Sequence, residues 1–176
     1  MWEKILNVTS KTPILVSILI YFFSLKILYL YYAPPLPDEA YYWLWAKRID
    51  FSFYDHPPLS MWVQSLSSTV SSNKYFLIRI VPTLSFLFVM CLGFYWMKRV
   101  GLFTHINDYL KFLLLLFSIP VINVFLTISF PDPILICMLL TSGFFFYLYL
   151  ESEKASKPNQ YLLWYISVGF FGLALI

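Results

Sequence analysis

Long apolar runs separated by short polar intervals dominate this chain. A helix needs roughly 20 apolar residues to cross a bilayer. Ile14 to Tyr32 is such a run, and Tyr75 to Met97, Tyr109 to Ile128 and Pro133 to Leu150 follow it. A fifth run starts at Tyr161 and is still apolar at Ile176. The pattern predicts an all-α, polytopic membrane helix bundle. It sets about five transmembrane helices near 14–32, 75–97, 109–128, 133–150 and 161–176. Pro82 and Pro120 fall inside two of them, which bilayer helices tolerate when neighbours re-satisfy the freed backbone groups. The first run is too long for a signal-peptide core and no small-x-small cleavage site follows it, so it reads as a retained anchor. The last run is short of a comfortable span and has no polar cap. The expectation is a chain that stops part-way through a helix and is a piece of a longer protein.

The polar interval 33–74 has its own pattern. From Asp38, apolar Tyr41, Leu44, Trp45 and Ile49 recur at helical spacing. From Pro58, Leu59, Trp62, Val63, Leu66 and Val70 do the same. Both segments read as amphipathic helices lying in the membrane interface. Their Trp and Tyr suit that depth, apolar at one end and wet at the other.

Composition sharpens this. The chain has 176 residues and is 60% hydrophobic, 22% aromatic and 12% charged. A soluble domain is about 25% charged. Mean hydropathy is +0.73. The net charge of +3 lies in loops rather than along a stripe, which excludes a nucleic-acid footprint. Cys91 and Cys137 fall inside apolar runs, as small core residues rather than a disulfide framework. Five glycines form no GxGxxG, so no nucleotide-binding loop is present.

Lys and Arg set the orientation. Lys4, Lys11, Lys98, Arg99, Lys111, Lys154 and Lys157 fall on one side, and Lys47, Arg48 and Lys74 on the other. The first set is the expected cytoplasmic side, with a cytoplasmic N-terminus. The 33–74 loop and the turn at Phe130-Pro131-Asp132-Pro133 then face outward. The Asn7-Val8-Thr9 sequon falls on the inner side and reads as chance.

That topology brings Asp38, Glu39, Asp55, His56, Arg79 and Asp132 to one face. Asp38 follows a proline and opens a helix, so it is an N-cap candidate. A cap does not need Glu39 beside it, which leaves a general base or a metal ligand as the functional reading. Asp55 is a cap candidate for the helix after Pro57. His56, between Asp55 and two prolines, is rigidly placed. Arg79 either snorkels to headgroups or meets a lipid-linked phosphate. Asp132 is either a turn residue or a second functional carboxylate. Lys26, just outward of the middle of the first helix, either snorkels or pairs inside the bundle. Tyr41, Tyr42, Trp43 and Trp45 are interface anchors or sugar-stacking rings.

Four elements occur in order: Pro37-Asp38-Glu39-Ala40-Tyr41-Tyr42-Trp43, Tyr54-Asp55-His56-Pro57-Pro58-Leu59, Arg79 three residues before Pro82, and Pro131-Asp132. Together they resemble the N-terminal part of the GT-C membrane glycosyltransferases. The nearest branch is that of the bacterial dolichyl-phosphate-mannose-protein mannosyltransferase-like proteins, with the aminoarabinose and lipopolysaccharide-core sugar transferases. The resemblance spans roughly residues 14 to 176, and residues 1–176 are expected to be the N-terminal part of such a domain. It implies a glycosyltransferase moving a sugar from a polyprenyl-phosphate donor to a lipid A, glycan or protein acceptor. The setting it implies is the outer face of a bacterial inner membrane. It maps the catalytic acidic positions to Asp38, with Glu39 beside it, and Asp132. Tyr41, Tyr42, Asp55, His56 and Arg79 become substrate-binding candidates. Some members use a divalent metal, for which Glu39, Asp55 and His56 are the candidate ligands; no other cofactor is expected. Family members run to several hundred residues, so an inactive remnant, a non-catalytic subunit and a transporter piece stand as competing readings.

Overall fold

The computed structural model describes residues 12–54, 56–69, 74–155, 158 and 160–175. Among these residues eight α-helices follow in order: α1 (Thr12–Tyr32), α2 (Pro37–Ala46), α3 (Leu59–Ser65), α4 (Lys74–Arg99), α5 (Ile106–Ser118), α6 (Pro120–Phe125), α7 (Asp132–Lys154) and α8 (Gln160–Ala174). A 3-10 turn, Leu66–Thr69, extends α3. No strand occurs among the described residues. The protein is a membrane helical bundle. Among the described residues three helices, within α1, α4 and α7, are long and apolar enough to cross a membrane.

The expected third span is broken. Pro120 has no N–H for the helix, and the residue before a proline is pushed out of helical geometry. Ile119 is accordingly extended (φ −86°, ψ 103°) and separates α5 from α6. α5 alone, at 13 residues, reaches about 20 Å at 1.5 Å per residue, short of the hydrocarbon thickness. α8, at 15 residues, is also shorter than the three long helices.

The apolar core gathers Leu19 of α1, Phe86 and Val89 of α4, Leu113, Leu116 and Phe117 of α5, Leu126 after α6, and Cys137 of α7. Phe117 is its hub: Phe22, Phe23 and Phe86 lie with ring centroids 5.2, 5.1 and 5.2 Å from it. Many large apolar side chains point outward instead, including Ile14, Ile20, Ile27, Leu84 and Phe171. Several small polar residues, among them Ser85, Thr141, Ser142 and Ser167, are buried. Ser142 of α7 and Ser167 of α8 donate to each other's carbonyl oxygen, each at 2.9 Å. In lipid the apolar effect between helices vanishes, so small polar side chains supply the adhesion.

The two interfacial helices follow the same rule. In α3 and its extension the buried residues are Ser60, Met61, Gln64 and Ser67, while Leu66 is 72% exposed. In α2 they are Glu39 and Ala46, while Leu44 is 60% exposed. The most exposed apolar residues of both helices, Leu44 and Leu66, face away from the protein, as helices lying in an interface carry them.

Gln64 shows why. Pro82 lacks the N–H that would reach the Ile78 carbonyl one turn back in α4. The Gln64 side-chain amide donates to that carbonyl at 2.9 Å and to Leu77 O at 3.2 Å. The proline thus opens a backbone acceptor, and a polar residue on the neighbouring helix fills it.

Candidate functional site

The site grows from the first turn of α2. Pro37 occupies the first helical position, where its fixed φ suits a helix and its missing N–H costs nothing. Leu36, not Asp38, is the N-cap residue. Asp38 stands one position further in and is exposed, where the free N–H groups of a helix start favour an anion. Glu39, at the third position, folds back and accepts from Leu36 N–H at 2.9 Å.

Glu39 does more than cap. Its Oε1 accepts from Arg79 Nε at 2.9 Å and from Ser129 N–H at 3.0 Å. Its Oε2 accepts from an Arg79 terminal nitrogen at 2.6 Å as well as from Leu36. Four N–H donors thus fill the roughly four acceptor sites of a carboxylate. Both side chains are 0% exposed.

Arg79 is equally saturated. Beyond Glu39, its terminal nitrogens donate to Tyr29 O at 3.0 Å, Ala33 O at 2.8 Å and Pro34 O at 3.1 Å. Those carbonyls belong to the last turn of α1 and the residues after it; Tyr29 O also accepts from the Ala33 N–H at 3.2 Å. The guanidinium also lies 4.2 Å from the Tyr29 ring centroid. All five N–H donors of the fork are used, and none remains for a phosphate. The pair ties together α1, α2, α4 and the segment before α7.

Asp132 opens α7, three residues beyond Ser129, and is partly exposed. With His56, Pro57, Leu59, Ser60 and Pro131 it lines a cleft of about 150 Å³, bounded by Leu173 and Ala174 at the end of α8. His56 shares a 2.7 Å hydrogen bond between its Nε2 and the Tyr42 hydroxyl. The Tyr42 ring meets His56 and Phe130 edge-on, at 5.2 and 5.9 Å. Tyr41 is exposed and packs on Trp45, which stacks on Phe53 at 4.9 Å. The structure thus brings His56, Tyr42 and Asp132 to one end of the bundle, with Glu39 linking the segment of Asp38 to that of Asp132. Asp55 lies outside the described residues.

The donor set expected for a divalent metal does not fit the described residues. Glu39 has no acceptor site to spare and faces a guanidinium, and His56 Nε2 is engaged by Tyr42. Among the described residues no group of three or more His, Cys, Asp or Glu is arranged to hold a metal ion.

Sequence reading missed Gln64, Ser60 and Ser129. Ser60, Gln64 and Ser67 do form a polar stripe at i, i+4 and i+7; its significance was hidden by the stronger apolar stripe beside it. Lys26 pairs inside the bundle: it donates to the Thr127 hydroxyl, to Leu126 O at 3.2 Å and to Asn123 O at 3.4 Å. It sits 4.5 Å from the Phe86 ring centroid. A cation there meets the open carbonyls at the end of α6, where the helix dipole favours it.

Comparison with known proteins fits this geometry. No solved structure matches the chain. A lipid A galacturonosyltransferase, RgtD, from Rhizobium johnstonii is 35% identical over 48 residues, or 27% of this chain and 10% of that relative. The chain therefore spans only a small part of the relative's length. The sequence pattern of dolichyl-phosphate-mannose-protein mannosyltransferases matches residues 55–176, which include His56, Arg79 and Asp132. With more than half of its length matched, the chain belongs to the dolichyl-phosphate-mannose-protein mannosyltransferase family of membrane glycosyltransferases.

Proposed function

We propose that this chain serves transfer of a sugar from a polyprenyl-phosphate donor to a lipid-linked, glycan or protein acceptor at the outer face of a bacterial inner membrane. One observation carries the reading. Glu39 binds Arg79 and Ser129 together, which sets exposed Asp38 and partly exposed Asp132 at the same end of the bundle.

In this reading Asp38 is the general base. It takes the proton from an acceptor hydroxyl as that oxygen attacks the anomeric carbon. The bond from that carbon to the phosphate oxygen breaks, and the electron pair leaves with the polyprenyl phosphate. Asp132 orients the reacting sugar from its own cleft. Glu39 and Arg79 are positioning residues, since their hydrogen-bonding groups are already spent on each other and on backbone. Tyr41, Trp45 and Phe53 offer rings to a sugar face. A lipid A acceptor is the first to try, because the relative with the matching segment is a lipid A galacturonosyltransferase.

The test uses the full protein in membrane vesicles, with labelled polyprenyl-phosphate galacturonic acid or mannose as donor and lipid A as acceptor. The wild type is expected to move label, and Asp38→Asn to slow transfer by about 10²- to 10⁴-fold while membrane insertion is kept. Full transfer by Asp38→Asn removes the base assignment; no transfer by the wild type, with any acceptor of the three classes, removes the function.

A further inference from the structure

The cleft beside Asp132 contains a group whose hydrogen bonding is unmet. Ser60 lines it, is 9% exposed, and its hydroxyl has no hydrogen-bond partner. Other serines in the chain bond back to a helical carbonyl: Ser65 to Trp62 O at 2.7 Å, Ser67 to Gln64 O at 2.7 Å and Ser118 to Leu114 O at 2.7 Å. Ser60 is only the second residue of α3, and the residues before it include Pro57 and Pro58. No helical turn lies behind it, so no such carbonyl is in place. A buried hydroxyl without a partner is destabilising in the free protein.

The surroundings select what would satisfy it. Asp132, which shares the cleft, makes a phosphate or a carboxylate a poor partner for the Ser60 hydroxyl itself, so anionic groups of a substrate lie away from Ser60. Pro57, Leu59 and Pro131 give apolar walls that suit the C–H face of a ring. A serine hydroxyl both donates and accepts, as a sugar hydroxyl does. We propose that Ser60 reads one hydroxyl of a sugar ring seated in this cleft, and so helps set which sugar is handled. This rests on the glycosyl-transfer reading above.

The role separates from a structural one by its sign. Ser60→Ala removes an unpaired group, so the midpoint of thermal unfolding should stay unchanged or rise. The KM for the sugar should rise roughly two- to tenfold, the value of one neutral hydrogen bond. The experiment measures transfer by the full wild-type protein and by Ser60→Ala. The substrates are polyprenyl-phosphate galacturonic acid and mannose with their monodeoxy analogues, and a parallel arm uses monodeoxy acceptors. For one deoxy position, the loss seen with wild type should vanish in Ser60→Ala; the arm in which this occurs identifies donor or acceptor. Equal loss across every analogue, an unchanged KM, or a lowered unfolding midpoint with unchanged selectivity overturns the assignment of Ser60 while leaving the transferase reading intact. Absence of any transfer by the wild type overturns both.

Discussion

Arg79 holds the Glu39 carboxylate with two nitrogens, at 2.9 and 2.6 Å, and water reaches neither side chain. Removing one partner strands a charge in a dry interior, which costs about 3–5 kcal/mol. Arg79→Leu strands Glu39 and also frees the carbonyls of Tyr29, Ala33 and Pro34. Glu39→Leu strands Arg79. Each is expected to lose most of the folded fraction on heating in detergent, followed by size exclusion. The double replacement should cost clearly less than the sum of the two, because no unpaired charge remains. Strict additivity would mean that the ion pair is not the source of the loss.

Gln64 and Pro82 should show the same kind of coupling through backbone. Gln64→Ala leaves the Ile78 carbonyl without its 2.9 Å donor and should destabilise by about 1–3 kcal/mol. Pro82→Ala restores an N–H one turn along, so it should soften the Gln64→Ala loss by roughly 1 kcal/mol. A thermal-melt double-mutant cycle reads this directly. Equal loss in both backgrounds would show that Gln64 acts through its other contacts alone.

Tyr42 meets His56 with a 2.7 Å hydrogen bond. Tyr42→Phe keeps the edge-on rings and removes the hydroxyl that makes that bond. The expected result is a fall in sugar transfer of roughly two- to tenfold with little change in unfolding midpoint. Unchanged transfer would leave His56 outside the reacting set.

The start of α5 carries a titrating cap. The Asp108 carboxylate is held down to about 2, first by the Thr104 hydroxyl and then by the N–H groups of His105 and Thr104. An unfolded aspartate titrates near about 3.9. The folded value is the lower one, so this stabilisation is fully present above the unfolded value and is lost as pH falls from about 4 to about 2. Asp108→Asn should melt earlier than the wild type near pH 6, and the gap should narrow below about pH 4 and close near pH 2. A constant gap over that range would show that the charge of Asp108 does not matter.

Length and apolarity made α1, α4 and α7 legible: expectations of 14–32, 75–97 and 133–150 meet helices at Thr12–Tyr32, Lys74–Arg99 and Asp132–Lys154. Hydrophobic runs decide such spans whatever their neighbours do. The break at Ile119 was less legible, because bilayer helices often carry a proline without breaking. That Ser60 and Gln64 of α3 would be buried partners of the bundle was not legible beside the stronger apolar stripe. Periodicity shows that a helix has two faces, and in a bilayer the apolar one faces out. Partner choice was the other gap. Sequence marks Glu39 and Arg79 as costly residues for their depth, but their joining, 40 residues apart, needs the helices packed.

Those separations order the biogenesis of the site. Glu39 leaves the ribosome 40 residues before Arg79 and 90 before Ser129. Until α4 is threaded beside α1, its carboxylate has only water and the Leu36 amide to face. The segment that carries Asp38 therefore gains its full set of hydrogen-bond partners only after α4 and Ser129 have been made.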